Sequence, residues 1–276
     1  MNTSLQVNPT ALTEREERAL QHAVEVLEGK SFVGRLTELT GEPLTKLLRR
    51  LPQPVTVQIN RAVRRTLSSA LEVALYKMGP GRRLEPPPAL FQIASGLTGG
   101  VSGFFGMGAL ALELPFTTTL MLRSIAGIAV RHGEQMENPD SRLACLEVFA
   151  LGPHGKHGVS GETSYYATRA FLAKTVSEAA QALLERGVAG SSAPVIVEMI
   201  TAIGSRFGVV VSERVAASAI PVVGALGGAA VNVAFMQHFQ QMARAHFVVR
   251  HLERRYGTQL VQNRYQVYDR LRKAQA

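Results

Sequence analysis

The sequence predicts an all-α protein, and three observations carry that prediction. Apolar residues recur every three or four positions through most segments. No sustained alternation and no strand–helix–strand rhythm appears. Caps, prolines and glycines fall where helix ends need them.

"TEREERALQHAVEVLEG" opens the first helix, with Thr13 and Glu16 at capping-box spacing and Gly29 as its stop. Two short helices follow, over 31–40 and 43–51. Pro52 and Pro54 start a longer one. Its stripe Ile59, Val63, Leu67, Ala70, Ala74 and Met78 steps by three or four, while Arg61, Arg64, Arg65 and Glu72 lie off it. "GPGRRLEPPPAL" reads as a hinge. After a glycine-rich run, "LPFTTTLMLRSIAGIAVRHG" reads as a helix with Pro115 in its first turn and Gly133 at its end. Pro139 opens a short helix that Gly152 closes. "GPHGKHGVSGE" is a loop. "TSYYATRAFLAKTVSEAAQALLERG" is a long helix stopped by Gly187. Weaker helices fill 194–220, and the chain ends in one long helix and a final basic one.

At 276 residues the core can be sizeable without a disulfide staple. Charged residues make up only 18% and the mean hydropathy is +0.07, which suits a protein that is soluble or clings to a membrane. The single cysteine, Cys145, fits a reducing compartment and the small-core-residue role. Residues 1–30 carry five glutamates and no apolar run of the secretory kind. The expected location is cytoplasmic, peripheral to the inner membrane.

The net charge of +9 is uneven. Residues 30–85 hold eleven Lys/Arg against four acids, and residues 244–273 hold eight against two. Such blocks attract phosphate, and the partner expected is an anionic membrane surface. Nucleic acid is not expected, because tryptophan is absent, aromatics are 6% and no binding motif occurs.

Residues 86–112 and 215–243 contain no Asp, Glu, Lys or Arg over 27 and 29 positions. Length qualifies both as membrane spans. Composition argues instead for close-packed helices: residues 93–112 include six glycines, each costing about 1 kcal/mol in a helix. Glycines at 96/100, 99/103 and 224/228 have the spacing that lets backbones approach. A phosphate cradle is disfavoured, since no G-x-G-x-x-G or G-K-[ST] occurs.

No G-x-S-x-G, S-x-x-K or H-E-x-x-H motif is present. His154 and His157 near Glu162 are the one weak metal candidate, in a glycine-rich loop. No cofactor is expected. His238, His246 and His251 fall on the last long helix, the first two at a spacing that shares a face. Glu113 and Arg123 interrupt apolar helix, and Arg169 and Asn232 do the same elsewhere. A buried charge needs a partner, so these residues predict a polar network or ligand site.

"GLTGGVSGFFGMGALALELPFTTTLMLRSIAGIAVRHGE", "PDSRLACLEVFALG", "SYYATRAFLAK" and "IPVVGALGGAAVNVAFMQHFQQMARAHFVVRHLERRYG" resemble the EcsC family of bacterial proteins over about residues 55–257. The organisation then expected is an N-terminal helical region 1–54, an EcsC-like core 55–257 and a basic helix 258–276, together one compact unit. The resemblance carries over to Glu113, Pro115, Arg123, Tyr165, Tyr166, Arg169, Pro221, Gly224 and Asn232, none with a catalytic role to transfer. The family is named for a protein encoded beside the two subunits of an ABC transporter. The expectation is therefore a non-enzymatic, membrane-associated helical protein that serves such a transporter or binds lipid or amphiphile. The alternative is a membrane-proximal, peptidase-like hydrolase, in a metal-dependent or a metal-free form.

Overall fold

The computed structural model describes residues 11–40, 52–77, 106–152, 164–186, 194–218 and 228–275. Among them are nine α-helices: α1 (Glu14–Leu27), α2 (Phe32–Thr40), α3 (Gln53–Lys77), α4 (Gly106–Arg131), α5 (Pro139–Glu147), α6 (Ser164–Arg186), α7 (Pro194–Ser218), α8 (Gly228–Tyr256) and α9 (Thr258–Gln275). A 3₁₀ turn, Val148–Ala150, extends α5. The expected short helix 43–51, the hinge at 79–90, most of the glycine-rich run and Gly187 lie outside the described residues.

Local signals act as read at the first helix. The Thr13 amide donates to Glu16 Oε2 at 2.9 Å, and the Glu16 amide donates to Thr13 Oγ1 at 3.4 Å. Gly29 is required by space, because a Cβ there would sit 2.2 Å from the Glu25 carbonyl oxygen. Gly133, Gly152 and Gly257 end helical segments at positive φ (84°, 103° and 87°), where other residues are strained.

Two expectations need correction. Helix α4 starts at Gly106, so Pro115 lies inside the helix and not in its first turn. The chain runs helically through Glu113–Pro115, and packing against α3 and α8 offsets the lost backbone hydrogen bond. Residues 194–218 form one continuous helix, where separate weaker helices were expected.

Helices α4, α3, α7 and α6 contact one another in that order. Behind them α8 packs on α4 and α7, and it is covered in turn by α1 and α9. Helix α5 bridges α3, α4 and α6. The α3–α7 seam is close because Gly204 and Gly208 face it. A Cβ at Gly204 would meet Leu67 at 3.4 Å and Val63 at 3.5 Å, and one at Gly208 would meet Asn60 Oδ1 at 3.3 Å. The central core is aromatic: Phe149 lies 5.0 Å from Phe207 and 5.2 Å from Phe239, and Phe235 lies 5.2 Å from Phe239, centroid to centroid. The α8 part of the second apolar stretch is buried by protein, with Val231, Phe235, Met236, Phe239 and Met242 at 2% exposure or less.

Candidate functional site

Buried polar residues gather into three clusters. The first joins α4, α7 and α8. Glu113 accepts a hydrogen bond from Arg214, and its Oε1 accepts from Asn232 Nδ2 at 2.8 Å. Both charged side chains are nearly buried, at 10% and 7% exposure. The Arg214 guanidinium also lies 5.1 Å from the Phe235 ring centroid. Burial pulls the Arg214 pKa down and Glu113 pulls it back up. The adjacent Glu213 turns elsewhere. Its carboxylate accepts the Val33 amide of α2 at 3.1 Å, and burial pushes its pKa up to about 7 against that hydrogen bond.

Arg123 is not the partner of Glu113. It lies about 15 Å farther along α4, half-buried, seven residues beyond the exposed Phe116 and so on the same side of the helix. Pairing Glu113 with a residue of its own helix fails on geometry; its partners come from α7 and α8.

The second cluster joins α1, α5, α6, α8 and α9. Arg169 Nη1 donates to both Glu253 oxygens, at 2.8 and 2.9 Å, and Tyr166 donates its hydroxyl to the same carboxylate at 3.0 Å. Tyr165 is 1% exposed, and its hydroxyl lies 3.0 Å from His246 Nδ1. Burial raises the Tyr165 pKa, so the hydroxyl keeps its proton and donates to Nδ1. The imidazole proton is then on Nε2, which faces Glu147 Oε2 at 3.9 Å. Burial holds His246 well below its ordinary pKa and pushes Glu147 up to about 7. His246 is therefore neutral at physiological pH, and its contact with Glu147 is not an ion pair. On the other side, the Tyr165 amide and the Tyr265 hydroxyl donate to Glu28 Oε1 at 2.8 and 3.1 Å. The Tyr165 and Tyr265 rings stack 5.4 Å apart. A third knot holds Glu134, which accepts from Ser141, Arg250 and Arg254. Burial opposes its ionisation, but these partners keep its carboxyl below the usual range.

Sequence reasoning brought Glu113 together with Asn232, and Tyr165 and Tyr166 with Arg169, but joined all of them as one site. It missed Arg214, Glu253, Glu147 and Glu28. The charged pair Glu213–Arg214 within the apolar run "FGVVVSERVAA" was the available signal for the first. His238 and His246 are buried and His251 is exposed. Cys145 is buried, with its thiol donating to the Ser141 carbonyl at 3.3 Å, and burial raises its pKa. His154, His157, Glu162, Pro221 and Gly224 lie outside the described residues. Among the described residues, no three His, Cys, Asp or Glu side chains are grouped to hold a metal ion.

Fold and clusters together define an all-α protein whose buried charges cross-link distant helices. Residues 88–252 match the EcsC protein family, and the chain belongs to that family. The matched span contains Glu113, Glu147, Tyr165, Tyr166, Arg169, Arg214, Asn232 and His246; Glu28, Glu253 and Tyr265 fall outside it. No curated protein and no solved structure matches the chain.

Proposed function

We propose that this protein is a non-enzymatic peripheral membrane protein that rests on an anionic bilayer through the solvent side of α3, α4, α6 and α7. The observation that carries the reading is the exposed stripe of α7. Pro194–Ala217 is long and apolar enough to span a membrane: its most apolar 18-residue window has a mean hydropathy of 1.7, and 44% of that window is buried. Its exposed side presents Val197, Thr201, Ser205 and Val209, with one acid, Glu198, near its N-terminal end. The Thr201 and Ser205 hydroxyls are spent on carbonyls of their own helix, at 2.8 Å each. Those two hydroxyls lose little when water leaves them. Val57, Phe116 and Phe171 are exposed on the three neighbouring helices, at 55%, 52% and 62%.

The charge placement supports the same face. Arg61, Arg64 and Arg65 are exposed on α3 and make no ion pair among the described residues. Arg64 follows Val63, which meets Gly204 of α7, so it flanks the α7 stripe. Each such arginine contributes roughly 1 kcal/mol near an anionic surface. A cytoplasmic location follows from the reducing-compartment argument, and service to an ABC transporter is supported by the family resemblance.

The test is flotation of purified protein with neutral and anionic liposomes at low and high salt. Flotation with anionic vesicles, weakened by salt and by the triple change Arg61→Gln, Arg64→Gln and Arg65→Gln, is the expected result. No flotation under any condition overturns the proposal.

A further inference from the structure

On the far side of α8 from this face, α1 and α8 run side by side over a groove of about 360 Å³. Its lining is Ala19, Ala23 and Val26 of α1 with Ala245 and Val248 of α8, and its polar edge is His22, Gln241 and Arg244. The groove exists because alanines stand where larger side chains would fill the seam: Ala23 and Ala245 are 1% and 4% exposed. The volume lies in the roughly 300–1,000 Å³ range of small-ligand pockets.

The edge is cationic. Arg244 is exposed and makes no ion pair among the described residues. Arg35 reaches the rim by donating to the Gln241 side-chain oxygen. That hydrogen bond leaves the Gln241 amide donors pointing away from Arg35. His22 meets the exposed carboxylate of Glu25 at 3.7 Å. An apolar floor with Arg244, the Gln241 amide and Arg35 at its edge complements a short hydrocarbon chain ending in a carboxylate or phosphate.

We propose that the α1–α8 groove binds a small anionic amphiphile, its tail over Ala19, Ala23 and Ala245 and its head at Arg244. No lining residue belongs to α3, α4, α6 or α7, so the site stands apart from bilayer docking.

Isothermal titration of the full chain with decanoate and with decyl phosphate, both below their micelle thresholds, tests this. Decanol and inorganic phosphate serve as partial ligands. Saturable binding of both amphiphiles, weaker by roughly tenfold or more for decanol and for Arg244→Gln, is the expected result. Ala19→Leu, at a half-exposed groove position, removes binding while the thermal midpoint without ligand stays unchanged. Equal binding of decanol, unaltered binding by both variants, or no saturable binding overturns the proposal. Inorganic phosphate binding as tightly as decyl phosphate also overturns it, since the tail would then contribute nothing. Anionic vesicles that displace bound decanoate assign the site to a bilayer lipid; vesicles that leave it bound assign it to a free amphiphile. Ala19→Leu should still float with anionic liposomes, so failure here and failure of bilayer docking read out separately.

Discussion

The arginines of α3 and those of α8 and α9 differ in what they meet. Arg250 and Arg254 close on Glu134, Arg255 on Glu16, Arg264 on Glu17, and Arg272 and Lys273 on Asp269. The C-terminal basic block is largely neutralised within the fold, although in the sequence it looks as available as the other. Arg61, Arg64 and Arg65 pair with no carboxylate among the described residues, and their helix also exposes Val57. Net charge alone therefore does not say which cations are open to a partner: most of those in the C-terminal block are already paired within the fold. Charged pairs on the inner sides of the helices lock them together, while the solvent side of α3, α4, α6 and α7 turns apolar side chains outward.

The sharpest way to test the locking pairs is to orphan one of their charges. Arg214→Met leaves Glu113 nearly buried without its cation, and should cost about 3–5 kcal/mol in denaturant unfolding. Adding Glu113→Gln should restore most of that loss, because an absent pair costs less than a broken one.

The pH dependence of stability comes next. Glu147 and Glu213 titrate near 7 in the folded chain against 4.5 for the free group. As pH rises from 4.5, the unfolded chain releases these protons first, so folding loses stability up to about 7. The loss is on the order of 3 kcal/mol per group. Glu134, shifted down, acts in the opposite sense: its contribution is present above the unfolded value and is lost as pH falls. Glu147→Gln should therefore be stabilised relative to the parent by a margin that grows as pH rises through that window, measured by urea unfolding at several pH values.

A smaller effect belongs to Gly29. Gly29→Ala places a methyl against the Glu25 carbonyl and should cost roughly 1–3 kcal/mol by thermal unfolding. The solvent side should hardly respond in stability. The three α3 glutamine changes should stay within about 0.5 kcal/mol of the parent, while flotation falls.

The helices were legible where the deciding contacts are local. The Thr13–Glu16 box, the α3 stripe from Ile59 to Ala74 and the stops at Gly133 and Gly152 rest on local spacing, and the structure places them as read, while Met78 lies outside the described residues. Pro115 was misread because the rule that proline starts a helix is local, and tertiary packing carries α4 through it. The polar clusters were half legible. An isolated charge in an apolar helix announces that it needs a partner, but Arg214 and Asn232 lie 101 and 119 positions from Glu113, and no spacing rule reaches that far. The Gly204–Gly208 seam shows the same limit: the spacing is in the sequence, and only α3 gives it meaning.

The contrast between the two kinds of surface can be read at single residues. Cys145 is buried, so a cysteine placed on the surface is the one accessible thiol among the described residues. Val209→Cys on the α7 stripe and Arg18→Cys on α1 would each carry an environment-sensitive fluorophore, titrated with anionic vesicles. Membrane docking through α7 predicts a blue shift and brighter emission at position 209 and no change at position 18. Equal shifts at both positions, or none at 209, would contradict it.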